Sequence, residues 1–130
     1  MNIPTAEQIK ILDSACQELL KEDKVRHVGV INEKGHLIAG GMRQGVKPLL
    51  DEHKIKMMYM QMQLDFNMRQ EVDDILGPID YIASRRKHNL VISVPEGENL
   101  VLITAEPDAD DQKIIKKAEE LFDNISISSI

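Results

Sequence analysis

The longest regular pattern in the chain runs from Pro48 to Leu76, with no glycine or proline after its first residue. At about 100° per residue, two apolar stripes emerge instead of one. The first stripe contains Leu50, Met57, Met60, Leu64, Met68, Val72 and Ile75. The second lies on nearly the opposite side and contains Ile55, Met58, Tyr59, Met62 and Phe66. A narrow strip that we expect to face water contains Glu52, Lys56, Gln63, Asn67, Gln70 and Asp74.

A helix that is apolar on two sides is buried on two sides. In a chain of 130 residues, one side can be covered by the chain's own sheet. The other side needs a second partner, most simply the same helix of a second copy, so the pattern predicts a homodimer. Which stripe faces the sheet stays open. We assign the dimer interface to the second stripe and the arginine beside it: Ile55, Met58, Tyr59, Met62, Phe66 and Arg69.

Shorter patterns precede the long helix. Thr5 and Gln8 form a capping-box pattern at the start of an amphipathic first helix. The β-branched segment 25–31 predicts a strand, and a turn ending at Gly35 leads into a second strand that ends at Gly40-Gly41. The glycine at 29 should allow a helix to pack closely across the first strand.

The long helix is followed by a stop signal at Gly77-Pro78 and then by three predicted strands, 79–84, 90–94 and 100–105. A last helix begins at Asp108 or Asp110. The tail 124–130 alternates isoleucine with serine, which predicts either an edge strand or a mobile tail. The order α-β-β-α-β-β-β-α predicts one α+β (α/β) domain over residues 1–130. It would have a five-stranded antiparallel sheet with the long central helix on one face.

Composition narrows the class of function. The net charge of −6 and the aromatic content of 3% make nucleic acid an unlikely partner, since base stacking needs aromatic rings and phosphates need basic surfaces. No apolar run reaches the roughly 20 residues of a bilayer span, and residues 1–5 lack a signal-peptide pattern. We therefore expect a cytoplasmic protein without membrane contact. The single cysteine, Cys16, excludes an internal disulfide and fits a small buried side chain.

Residues that could carry chemistry are scattered. The histidines at 27, 36, 53 and 88 show no metal-ligand spacing, and no serine lies in a nucleophile elbow. We expect no metal, no cofactor and no enzymatic activity. Arg69 is four residues from both Asp65 and Asp73, which favours surface ion pairs or, alternatively, a contact that sets register across the dimer.

The one concentrated basic feature is the predicted hairpin turn Arg85-Arg86-Lys87. A solvated turn is the simpler interpretation. The alternative is a site for a phosphate, a nucleotide or an acidic partner, because arginine offers a planar fork to such groups. Arg43 would contribute to this site if the two loops meet.

The order of elements and several short strings resemble a known family. The element order and the hairpin beginning at Val28 (VGVINEKGHLIAGG) are similar to the roadblock family of dynein light chain-related proteins. The strings GGMR from Gly40, MYMQ from Met58, LGP from Leu76 and YIASRR from Tyr81, with Pro95, resemble an uncharacterised roadblock-like family of ammonia-oxidising archaea. The resemblance covers residues 5–122.

The resemblance implies a homodimer formed through the long helix and an edge strand, which serves as a platform for small GTPases. We therefore expect a non-catalytic scaffold or regulatory protein that acts through protein contacts. The alternative is a domain that senses a small molecule or an anion, because related layered sheets hold ligands between helix and sheet. A void beneath the long helix would favour the sensor, and an exposed apolar groove would favour the scaffold.

Overall fold

The computed structural model describes the backbone of residues 3–128 and the side chains of residues 3–123 and 125. The helices are α1 (Ala6–Leu19), α2 (Glu52–Arg69), the short α3 (Asp73–Leu76) and α4 (Asp111–Ser128), with a 3₁₀ turn, Gln70–Val72, between α2 and α3. The strands are β1 (Val25–Ile31), β2 (Leu37–Met42), β3 (Ile82–Arg85), β4 (Leu90–Glu96) and β5 (Asn99–Ala105). They form one antiparallel sheet in the order β2-β1-β5-β4-β3. The predicted element order and five-stranded sheet are confirmed.

The sheet lies between two helical layers. Helices α1 and α4 cover one face, where Leu19 and Phe122 are fully buried among the inward residues of the strands. Helix α2 covers the other face, where Tyr59 and Phe66 pack on Ile31, Val91, Leu100 and Leu102. Strands β4 and β5 are buried on both faces, as their nearly continuous apolar sequences predict.

The long helix differs from the prediction at its start and in its continuity. It begins at Glu52 rather than near Pro48, because the Asp51 carboxylate caps it by accepting a 2.8 Å hydrogen bond from the Lys54 amide. It is not one uninterrupted helix, since the 3₁₀ turn separates α2 from α3. The predicted stop is confirmed: Gly77 has a φ of 85° and its amide donates to the Asp73 carbonyl at 2.8 Å.

Other predicted boundaries also change: β3 begins at Ile82 instead of residue 79, and β4 extends to Glu96 instead of residue 94. Strand β2 does not end at Gly40-Gly41 but continues to Met42, because Gly40 adopts a φ of 84° within the strand while pairing with Gly29. The tail does not form an edge strand over 124–128, because α4 extends through these residues to Ser128. The last two residues of that predicted strand or mobile tail, 129 and 130, lie outside the described residues.

The β1–β2 turn and α2 are in direct contact. A Cβ atom on Gly35 would lie 2.8 Å from the Met60 Cα, so the glycine lets the turn rest on the helix backbone. The Gln63 side chain, only 4% exposed, donates to the carbonyls of Asn32 at 2.8 Å and Glu98 at 3.4 Å. The prediction that Gln63 faces water is therefore wrong, because this amide connects α2 to the turns at one end of the sheet.

Candidate functional site

The second apolar stripe of α2 faces the chain's own sheet. Tyr59 and Phe66 are each 5% exposed, and Ile55, Met58 and Met62 pack against the same core. The prediction that this stripe forms the dimer interface is wrong, because its side chains already contact β1, β4 and β5. Sequence periodicity could not decide this, since both stripes are apolar and similar in length.

The first stripe faces outward instead. Its members, which we call the outer row, have exposed fractions between 38% and 80%: Leu50, Met57, Met60, Leu64, Met68, Val72 and Ile75. Successive members from Met57 onward are three or four residues apart, so they form a continuous line along α2 and α3. Contiguous apolar surface of this kind marks interaction sites in soluble proteins.

Arg69 lies beside this surface but bonds within its own helix. Its Nε donates to the Asp65 carboxylate at 3.1 Å, and both side chains are more than half exposed. The surface-pair interpretation is therefore confirmed for Asp65. A contact from Arg69 to a second copy stays a prediction.

The basic residues predicted to meet at an anion site do not come together. Arg43 follows β2 and Arg85 ends β3, and these are the two opposite edges of the sheet. Four strand spacings separate them, roughly 19 Å. The prediction that Arg43 joins the basic turn is wrong, because the intervening strands β1, β5 and β4 hold the two edges apart.

Both arginines bind main-chain carbonyl groups. Arg43 donates to the carbonyls of Leu20, at 2.9 Å from Nε, and Glu22, at 2.6 Å from Nη2. Arg85 donates to the carbonyls of Pro107 and Ala109, with the Asp111 carboxylate 3.7 Å away. These guanidinium groups connect loops to the sheet, so their N–H donors already have hydrogen-bond partners. In the same turn, Arg86 and Lys87 are exposed.

An open groove lies beside the start of α2. It has a volume of about 910 Å³ and is bounded by the β1–β2 turn, the loop 47–51 and the first two turns of the helix. Apolar side chains from the loop and helix dominate its walls, with charged residues at its rim: Leu37, Pro48, Leu49, Leu50, Ile55, Tyr59 and Met60, with Lys47, Asp51, Glu52 and Lys56.

A small recess with a mainly apolar lining adjoins this groove. It holds about 50 Å³ and shares Pro48, Leu49, Leu50, Ile55 and Tyr59 with the groove. His27 lies inside it, 5% exposed, with Nε2 at 2.8 Å from the Tyr59 hydroxyl. Burial lowers the pKa of His27, opposed in part by the Leu102 backbone, and burial raises the pKa of Tyr59. Both side chains are therefore neutral at physiological pH.

In the sequence, His27 is one of four scattered histidines, and Asn89 has no feature that marks it as a site residue. The available signal was modest: His27 shares a strand face with Gly29 and Ile31, which makes it a polar residue at a core position. Nothing in the sequence indicated that Asn89 would line the same recess, because that depends on the pairing of β1, β5 and β4.

Other chemistry is limited among the described side chains. Cys16 is fully buried, and burial together with the nearby Asp13 raises its pKa to about 12, so it stays a thiol, as expected of a small core residue. Within those side chains, no three histidine, cysteine, aspartate or glutamate residues are grouped so as to hold a metal ion. In residues 3–128, no helix is long and apolar enough to cross a membrane.

Solved structures share this fold. A roadblock/LC7 domain from Streptomyces avermitilis superposes with a TM-score of 0.70 at 11% identity, covering 89% of this chain and 95% of that one. The gliding protein MglB from Thermus thermophilus gives a TM-score of 0.78 at 15% identity, covering 97% and 96%. A structure described as MglB with a tetrameric arrangement gives 0.74 at 16% identity, covering 98% and 96%. The roadblock-type fold is thereby confirmed.

Sequence comparison places the chain in one family. No curated protein matches it significantly. Residues 4–126 match a single family over almost the whole length of the chain. The outer row, the groove and the recess all lie within that match, and the protein belongs to the family described as "Family of unknown function (DUF6659)".

Proposed function

We propose that this protein is a cytoplasmic, homodimeric, non-catalytic scaffold or regulatory protein of one roadblock-like domain, residues 1–130, that acts through protein contacts. The observation that carries the proposal is the outer row. The seven apolar side chains of the outer row, which runs from the loop before α2 to α3, are exposed in the single chain, while the opposite stripe fills the core.

The geometry of the outer row suits pairing with a second copy. Helix α2 has 18 residues and is therefore about 27 Å long. Two such helices related by a two-fold axis would each offer the same line of side chains, which is how an isologous interface is built. Three of the seven members are methionines, whose flexible thioethers adapt to an opposing surface.

Two ion pairs flank the row within each copy. Lys56 pairs with Glu52 at 3.4 Å, and Arg69 pairs with Asp65, so these four charges compensate within each helix. The similarity to an MglB structure with a tetrameric arrangement supports self-association in this fold. A small GTPase is the partner class suggested by the roadblock resemblance, and an archaeal origin for the chain is proposed on the same ground.

Light scattering after size-exclusion chromatography tests the homodimer. We expect wild-type protein to have the mass of two 14.7 kDa chains. Leu64→Asp places a charge in the middle of the outer row and should weaken the dimer at least about 30-fold, as loss of a central contact does. Circular dichroism should show that this variant remains folded, since Leu64 is exposed in the single chain.

Ile11→Asp is the matched control. Ile11 is also an exposed apolar residue on a helix, but α1 lies on the other face of the sheet. This variant should remain dimeric. A wild-type monomer, or a Leu64→Asp protein as dimeric as the control, would contradict the assignment of the outer row to self-association.

Binding to a small GTPase is tested separately. A small GTPase from the same organism, loaded with a non-hydrolysable GTP analogue, should co-elute with wild-type protein and not with Leu64→Asp, if the dimer forms the docking platform. Co-elution that is equally strong with the monomeric variant would remove the dimer from the account of partner binding.

An anion sensor receives less support than the scaffold. Its two best-placed arginines, Arg43 and Arg85, are held by main-chain carbonyls on opposite edges of the sheet. The exposed apolar groove fits the scaffold, whereas the recess between α2 and the sheet favours the small-molecule form of the alternative.

A further inference from the structure

The recess contains two buried polar atoms without a partner. Among the described side chains, His27 Nδ1 and Asn89 Oδ1 are shielded from solvent and have no partner at good hydrogen-bonding geometry, although the Leu102 backbone lies close enough to the imidazole to oppose the lowering of its pKa. Both residues line the same recess of about 50 Å³. A buried polar atom left unpaired is destabilising by about 1–3 kcal/mol, so a group in the recess that bonds to both side chains would remove this cost.

Several features of the sheet create this recess. The register of β1 against β5 shifts between Val25 and His27, an irregularity that alters how the following side chains point. A Cβ atom on Gly29 would lie 2.9 Å from His27 Cε1 and 2.6 Å from Leu37 Cδ1. We expected Gly29 to let a helix pack closely across the strand. Instead, this glycine leaves room for the His27 imidazole and for Leu37.

The charged groups around the cavities are largely compensated by neighbours. In the recess, Arg26 donates to Glu106 at 2.7 Å and to the Lys47 carbonyl at 2.6 Å. At the groove rim, Asp51 caps α2, while Glu52 pairs with Lys56. A charged ligand head would lose its hydration without gaining an opposite charge in the recess.

The hydrogen-bonding pattern defines the head group. Tyr59 and His27 share one hydrogen bond through Nε2, so Nδ1 is left to bind the ligand. Asn89 Oδ1 accepts hydrogen bonds. Hydroxyl and carboxamide groups can donate to Asn89 and also bond to the imidazole, and they carry no charge.

We infer that the groove and the recess together bind a neutral amphipathic small molecule, with its apolar body in the groove and its hydroxyl or carboxamide head between His27 and Asn89. The groove volume of about 910 Å³ lies within the usual range for small-molecule sites. The recess has room for a few non-hydrogen atoms. This inference goes beyond the scaffold proposal, although Leu50 and Met60 belong to both the groove and the outer row.

A series of four octyl compounds tests the inference on the full-length, ¹⁵N-labelled protein. The probes are octan-1-ol, octanamide, octanoate and octylammonium, which share a body and differ in the charge of the head. Nuclear magnetic resonance should show saturable shifts of the Asn89 side-chain amide and the His27 imidazole with the two neutral probes. The two charged probes should bind at least about tenfold more weakly, because the recess would desolvate their charge.

Variants of the recess locate the binding. Asn89→Ala should weaken octanamide binding about fivefold, the effect of one lost hydrogen bond. Asn67→Ala is the matched control on an exposed part of α2 and should leave affinity unchanged. If Asn89→Ala does not fold, Tyr59→Phe serves in its place, since it removes one oxygen that orients the imidazole and should also reduce affinity.

Three results would overturn the inference: equal affinity for all four probes, unchanged affinity in the recess variants, or no saturable shift at His27 and Asn89. Repeating the titration on Leu64→Asp separates the two proposals. Leu64 does not line either cavity, so the monomeric variant should bind octanamide as the wild type does. If Leu64→Asp is monomeric and still binds octanamide, the result supports both the outer row as the dimer interface and the recess as the ligand site.

Discussion

The two faces of the sheet are covered to different extents. On one face, α1 and α4 each present a single apolar stripe, and the core there contains twenty buried residues among those described. On the other face, α2 covers the strands with one stripe, over a core of six such residues, and turns a second stripe to solvent. The chain therefore covers both faces of the sheet, and on the α2 side (the open face, as opposed to the closed face under α1 and α4) it leaves a further apolar row exposed to solvent.

The chain's two phenylalanines offer the sharpest test of this contrast, since Phe122 lies in the closed face and Phe66 in the open one. Phe122→Ala should lower the free energy of unfolding by about 3–5 kcal/mol, through lost burial and the resulting cavity. Phe66→Ala should fall near the lower end of that range, about 3 kcal/mol, because a single helix over a smaller core can move inward. Urea denaturation at equal protein concentration measures both, and a larger loss for Phe66→Ala would contradict the contrast.

Gln63 provides the next largest effect. Replacing it with methionine retains its length but removes the amide that joins α2 to the carbonyls of Asn32 and Glu98. We expect a loss of about 1–2 kcal/mol in the free energy of unfolding. Gln61→Met, at an exposed position two residues earlier, should change that free energy by less than about 0.5 kcal/mol. Equal effects of the two substitutions would show that the Gln63 amide does not hold the open face together.

His27 should make the open face sensitive to acid. Burial lowers its native pKa below that of the unfolded chain, so the unfolded state binds more protons as pH falls. The contribution of His27 to stability is fully present above its ordinary pKa of about 6.5 and decreases as pH falls below that value. Denaturation from about pH 7.5 to about pH 5 should show this decrease in wild type and lose it in His27→Gln. The exposed His53→Gln is the control and should behave as wild type.

The smallest effect is expected at the edge of the outer row. Arg69 and Asp65 are both more than half exposed, so Arg69→Ala should change stability by about 0.5 kcal/mol or less. The same variant tests the predicted contact of Arg69 with a second copy. If sedimentation equilibrium shows a dimer dissociation constant raised more than about fivefold, the contact across the dimer gains support; an unchanged constant would remove it.

Much of this architecture could be predicted because local signals were strong. Thr5 and Gln8 form both hydrogen bonds of the capping box, at 3.1 and 2.8 Å, as their spacing requires. Strand β1 has the predicted bounds, since β-branched residues and a turn ending in glycine delimit it. Most of the errors concern polar residues such as Gln63, Arg43 and Arg85, whose partners are distant in sequence.

The sequence by itself determined that α2 has two apolar stripes and that one of them exceeds what a single chain needs to bury. Periodicity suffices for this, because side-chain directions along a helix repeat about every 3.6 residues. Only the tertiary structure decided that Tyr59 and Phe66 point inward and Leu64 outward, because that depends on which stripe fits the sheet. That His27 and Asn89 line one recess was likewise decided by strand pairing, which brings together residues far apart in the chain.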